Sequence, residues 1–158
     1  VFISFPSAKD PSWDKNHPNT STIEVITVAD FSKHKKWENK EWKNRGDEYE
    51  ALKESISQNL LDVLYQQTPE AKGHVDYYEL STPLTSRDLA NYKEGELYGI
   101  NHTPERFKQK WLKPQTPIKN LFLTGQDIVT AGVSAALMSG VITASSILKR
   151  NLLKQFVN

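Results

Sequence analysis

"NLFLTGQDIVTAGVSAALMSG", residues 120–140, is the stretch on which the reading of this chain turns. Asn120-Leu121-Phe122-Leu123-Thr124 has the apolar and aromatic character of a strand, and Gly125-Gln126-Asp127 reads as a turn. After a short loop, an apolar, small-sided helix is predicted from about Val133 to Leu153. A helix that is apolar nearly all round is normally buried. Ala135, Ala136, Ser139, Gly140 and Ala144 would let a neighbouring backbone or a flat ligand come close.

This arrangement sets the Asp127 carboxylate at the carboxyl end of a strand, where open α/β sheets bind ligands. A ribose or ribityl hydroxyl is a suitable donor to it. The helix begins near Gly132-Val133-Ser134 without proline, so its first N–H groups and positive dipole end favour an electron-rich acceptor. The C2 carbonyl and N1 of a flavin ring are such acceptors, and negative charge on a reduced ring would be favoured there. The residues alone leave a second reading open, a packed strand–turn–helix with a solvated Asp127.

Working outward, residues 1–5, 22–28 and 74–80 read as strands, and Tyr49, Leu52, Ile56, Leu60, Val63 and Leu64 mark a helix over 48–66. Asp47 with Glu50 is expected to cap that helix, and Thr68-Pro69 to stop it. Residues 81–89 read as a turn and a short helix start, and 93–104 as an irregular loop. The basic stretch KHKKWENKEWKNR, residues 33–45, reads as a solvated helix with Trp37 and Trp42 packed on the body, since Glu38 and Glu41 dilute its charge. A modest membrane-surface role stays open for it.

With 158 residues the chain has the length of about one domain. Its net charge of +1 argues against a nucleic-acid partner. No apolar run reaches the roughly 20 residues of a membrane span. The lack of cysteine excludes disulfides, thiolate metal sites and thiol nucleophiles, and fits a reducing compartment. His17, His34, His74 and His102 show no metal-ligand spacing, so no metal is expected. Ser134 lies in G-V-S-A-A rather than a G-x-S-x-G elbow. None of the seven glycines completes a G-x-G-x-x-G fingerprint. The opening, Val1-Phe2-Ile3-Ser4-Phe5-Pro6, reads as a strand entered midway, and the expectation is a portion of a longer chain.

The stretch "NLFLTGQDIVTAGVSAALMSGVITASSILKRNL" resembles the C-terminal flavin-contacting segment of the phytoene desaturase and carotenoid isomerase superfamily of FAD-dependent oxidoreductases. "FPSAKDPSWDK", "RGDEYEALK", "STPLTSRDL", "ELYG", "TGQDI" and "SILKRNL" follow in the order of its saturase branch, so the resemblance covers nearly the whole chain. It implies an α/β (mixed α+β) fold, the C-terminal part of a two-domain enzyme. Residues 1–110 would belong to the substrate-binding domain and 111–158 would form the final strand–helix of the FAD-binding domain. It implies FAD as cofactor, held in part by Gly125, Gln126, Asp127, Gly132, Val133 and Ser134, with NAD(P)H a candidate electron donor. Gln126 departs from what many superfamily members carry at that place.

The implied partners are a hydrophobic polyene and the missing N-terminal FAD-binding half, with no nucleic acid. Peripheral membrane association stays open, because polyenes partition into membranes. The implied reaction is saturation of one carbon–carbon double bond of a retinoid or carotenoid-like polyene. Desaturation or cis–trans isomerisation is the alternative within the enzymes, and a non-catalytic lipid-binding or assembly module the alternative outside them. No catalytic acid or base is carried by the resemblance.

Overall fold

The computed structural model describes residues 1–155, a mixture of helices and one small sheet. It divides into two compact units, Val1–Gly95 and a second that begins at Glu96.

In the first unit, β1 (Phe2–Ser4) pairs antiparallel with β2 (Glu24–Ile26), Phe2 opposite Ile26 and Ser4 opposite Glu24. The short helix α1 (Trp13–Asn16) lies in the connection, where the Trp13 indole N–H donates to the Thr20 carbonyl at 2.8 Å. Both strands are shorter than their sequence pattern, because the ladder holds only three facing pairs. Beyond it Val28 is 97% exposed.

The long helix α2 (Asp47–Gln67) falls where the 3.6-residue period puts it and gives way at Thr68. Its cap differs from expectation. Gly46 is the N-cap and makes no side-chain cap bond, while Asp47 is the first helical residue. Asp47, Glu48 and Glu50 instead place negative charge on the first turn, where the helix dipole favours it. α3 (Pro83–Ala90) begins with a reciprocal cap between Thr82 and Thr85 and with proline in its first turn.

Trp37, Tyr49 and Leu84 form the buried core of this unit, with Phe31 and Leu52 packed on it. The Trp37 and Tyr49 rings meet edge to face at 5.2 Å. The Tyr49 hydroxyl lies 2.7 Å from the Thr82 hydroxyl, tying α2 to the cap of α3.

Two further expectations fail in this unit. Residues 33–45 do not form an α-helix; they make short 3-10 turns over Phe31–Lys33 and Lys35–Trp37. Trp37 enters the core, but Trp42 is 44% exposed. Several of the charges are met locally: Lys36 pairs with Glu48, Arg45 with Asp88, and Arg87 with Glu38. Residues 74–80 form no strand, for no ladder partner lies beside them. They meet α2 through Tyr78, whose hydroxyl donates to Glu54 at 2.7 Å.

The second unit carries α4 (Pro104–Phe107) and α5 (Val133–Leu148). The strand expected over 120–124 reduces to one antiparallel bridge, Phe122 with Gln115, and a bond from the Leu123 N–H to the Pro114 carbonyl at 2.8 Å. Among the described residues there is no neighbouring strand to extend it. α5 stops at Leu148, five residues before expectation, because Lys149 turns into the left-handed region at φ 50°.

Burial on α5 also runs against expectation. Ser139 and Thr143 are buried, whereas Val133 is 82% and Leu137 70% exposed, and Ile147 and Leu148 are exposed too.

Candidate functional site

The turn and helix start singled out by sequence lie in the second unit, and the structure shows what holds them. Ser139 and Thr143, one turn apart, face the segment before the turn. The Gly125 N–H donates to Ser139 Oγ at 2.7 Å, and Ser139 Oγ donates on to the Ala136 carbonyl. Thr143 Oγ1 donates to the Leu123 carbonyl at 2.9 Å. The backbone approach that the small residues of α5 allow is therefore made, at this face, by residues 123–125. The bonds to the Gly125 N–H and the Leu123 carbonyl satisfy main-chain groups outside the helix that would cost about 1–3 kcal/mol to leave buried and unpaired.

Gln126–Ile128 form one turn of 3-10 helix. Asp127 Oδ1 accepts the Ile100 N–H at 3.0 Å. A carboxylate has room for about four donors, so this bond leaves capacity for a ligand hydroxyl. Gly99 permits that approach. It sits at φ 68°, and a Cβ built on it would stand 2.1 Å from Asp127 Oδ1.

Gly132, at φ 111°, is the N-cap of α5, with no side-chain cap bond and no acidic residue in the first turn. The first N–H groups of the helix, with no carbonyl one turn back to receive them, face the end where Val133 and Ser134 are exposed. The half-buried Asp127 carboxylate can accept a further donor, and this uncapped helix start can donate to an electron-rich acceptor. The residues named from the sequence thus fall into two adjoining groups, the turn 125–127 and the helix start 132–134.

Sequence reasoning missed the residues that fix the turn from beneath. Arg106, on α4, is buried. Its Nη2 donates to the carbonyls of Gln126 at 2.9 Å and Asp127 at 2.7 Å, and Nη1 reaches the Val129 carbonyl at 3.5 Å. Thr103 caps α4 by accepting the Arg106 N–H. His102 Nε2 accepts the Ala131 N–H at 2.7 Å, so that nitrogen is unprotonated in this arrangement. T-P-E-R, residues 103–106, has the form of a capped helix start with proline at its first position. That signal finds α4 but not the target of its arginine.

Two shallow hollows lie elsewhere. One is lined by Ile142, Ser145, Ser146, Lys149, Arg150, Asn151 and Leu153, the other by Val1, Ile3, Phe5, Val63, Gln67 and Thr68. Neither is lined by the turn or the helix start.

No protein-family model matches the chain, and no solved structure matches it. Curated proteins do. The chain is 36% identical over 155 residues to the all-trans-retinol 13,14-reductase of Danio rerio and 37% identical over 155 residues to that of Rattus norvegicus. Each alignment takes in 96% of this chain and 26% of the relative. A Danio rerio protein named an inactive all-trans-retinol 13,14-reductase is 35% identical over 156 residues, covering 96% of this chain and 25% of its own length. The chain is thus a homologue of these reductases over nearly all of its own length and about a quarter of theirs.

Proposed function

We propose, from this homology to all-trans-retinol 13,14-reductases, that the chain is the C-terminal part of an FAD-dependent oxidoreductase that saturates one carbon–carbon double bond of a retinoid or carotenoid-like polyene. The observation that carries the reading is the similarity along 96% of the chain to proteins named for that reduction. Residues 1–110 are assigned to the substrate-binding side and 111–158 to the cofactor side. The apolar outer face of α5, with Val133, Leu137, Ile147 and Leu148, is covered by the remaining three-quarters of such an enzyme.

When bound, FAD supplies the hydride chemistry. The chain's own residues hold and orient. Asp127 accepts a hydroxyl of the ribityl or ribose portion while keeping Ile100 on its Oδ1. The first N–H groups of α5, from Val133 onward, meet the electron-rich edge of the ring. Gly125 and Gly132 keep side chains out of the approach, and Ser134 stands beside it. The α5 dipole end favours the more negative, reduced form of whatever ring lies there.

The test uses the full-length protein carrying this segment. Its absorption spectrum shows flavin bands in the blue and near ultraviolet, and retinol with a reductant yields a product saturated at one double bond. Asp127→Asn keeps the acceptor for Ile100 but replaces the other oxygen with a donor. Hydrogen bonds to charged groups contribute about 1.5–3 kcal/mol, so flavin affinity falls roughly tenfold to a hundredfold. A protein free of flavin as purified, and unable to take it up, sinks the reading. The relative named inactive favours one rival, a flavin-binding homologue without turnover; flavin bands without product identify it.

A further inference from the structure

Arg106 has no part in the site as read from sequence, yet it is among the most enclosed side chains of the second unit. Burying a guanidinium is costly unless its donors are taken up. Here Nη2 and Nη1 are directed to three carbonyls within one four-residue span, Gln126, Asp127 and Val129, while Nε is buried without a partner. The side chain is committed to one turn, at the expense of complete hydrogen bonding.

The trans peptide is planar, and its C=O and N–H point in opposite directions. A cation that gathers the carbonyls of Gln126, Asp127 and Val129 therefore turns the N–H groups of Asp127, Ile128 and Thr130 away from itself. Ile128 spends its N–H on the Gly125 carbonyl at 3.4 Å. The amides of Asp127 and Thr130 remain on the side away from the guanidinium. His102 adds a second fixing point two residues on, by taking the Ala131 N–H.

We infer that Arg106 is a positioning residue of the ligand-facing turn: it grips the carbonyl side of residues 126–129 and so presents their amide side, with the Asp127 carboxylate, to an electron-rich ligand. The inference rests on the flavin reading for the identity of that ligand. Its geometry does not depend on it. The planar fork matters because Nη2 bonds the carbonyls of Gln126 and Asp127 while Nη1 reaches that of Val129, and a lysine ammonium offers a single nitrogen.

The experiment compares Arg106→Met and Arg106→Lys with wild type in the full-length protein. It reads hydrogen exchange across residues 124–132 in the flavin-free state, flavin retained after dialysis, and the melting temperature of the apoprotein. Expected for Arg106→Met is exchange faster by roughly tenfold or more in that segment and flavin affinity lower by about tenfold to a hundredfold. Arg106→Lys recovers the melting temperature but only part of the slow exchange and flavin affinity.

Unchanged exchange in both variants overturns the inference whether or not flavin is bound. Faster exchange with undiminished flavin also overturns it, since the turn would not be what the ligand meets. If wild type binds no flavin while exchange still responds to Arg106, the flavin reading has failed and the ligand part of the inference falls with it. Should Arg106→Met not fold, the lysine variant carries the same three readings. Full rescue by lysine of exchange and affinity would show that charge alone suffices, and would overturn the fork.

Discussion

The two compact units are built on opposite plans. In Val1–Gly95 the enclosed side chains include the apolar Trp37, Tyr49, Leu64 and Leu84 beside polar ones such as His34 and Arg45, which pairs with Asp88. In the unit that begins at Glu96, the buried polar side chains are Arg106, Ser139 and Thr143. Among the described residues none of the buried core hydrophobics belongs to this unit. Many of its aliphatic and aromatic residues, Leu97, Phe107, Val133 and Leu137 among them, are exposed. The first unit has a small aromatic and aliphatic core of its own. The second is held by hydrogen bonds to its own backbone and keeps its apolar surface for something outside it, which under the proposed function is the rest of the enzyme and its cofactor.

That contrast breaks most visibly at Leu84 and Leu137. Leu84 is 0% exposed, so Leu84→Ala is expected to cost about 2–5 kcal/mol from lost burial and a residual cavity. In the 158-residue chain on its own, Leu137→Ala, on the outer face of α5, is expected to stay within about 0.5 kcal/mol, since nothing covers Leu137 there. Urea unfolding followed by tryptophan fluorescence measures both, and comparable losses would erase the distinction between the units.

The next effect is at the hydroxyl seam. Ser139→Ala deprives the Gly125 N–H of its acceptor, at a cost of about 1–3 kcal/mol. A change too small to resolve in the same unfolding experiment would mean that hydrogen bonds do not hold the second unit together.

Ser134→Trp sharpens the comparison from the other side. A packed helix would register overfilling as about 1–3 kcal/mol. Ser134 is exposed, so the melting temperature of the apoprotein is expected to stay within about a degree or two of wild type, corresponding to less than 0.5 kcal/mol. Flavin content of the full-length protein is expected to fall. A lower melting temperature with flavin retained would make this end of α5 an ordinary core element.

The smallest effect belongs to residues 74–80. The Tyr78 hydroxyl, and then the Gln58 amide, hold the Glu54 carboxyl below its usual range, and the same bond raises the Tyr78 hydroxyl above its own. A lowered carboxyl contributes stability above its unfolded value, about 4.3, and loses it as pH falls through the folded one. A raised phenol contributes below about 10 and loses it as pH climbs through the folded one. The stability difference between wild type and Tyr78→Phe should therefore be flat across the neutral range and shrink at both ends. A difference that grows toward acid would contradict the bond.

The sequence by itself determined α2 nearly to the residue, because Tyr49, Leu52, Ile56, Leu60 and Leu64 repeat with the helix and Thr68-Pro69 ends it. It also marked 125–127 as a turn and 132–134 as a helix start, because glycine and the change of period are local signals. The strands over 74–80 and 120–124 were not decided there, since β-propensity becomes a strand only when a partner supplies the ladder. Nor was the direction α5 faces: an all-round apolar pattern does not say which side is covered, and the choice fell to Ser139 and Thr143 because residues 123–125 needed acceptors and donors. The link from Arg106 across 20 residues to the turn was invisible for the same reason. It is a long-range contact between a side chain and main-chain carbonyls, and carbonyls are identical at every position of a sequence.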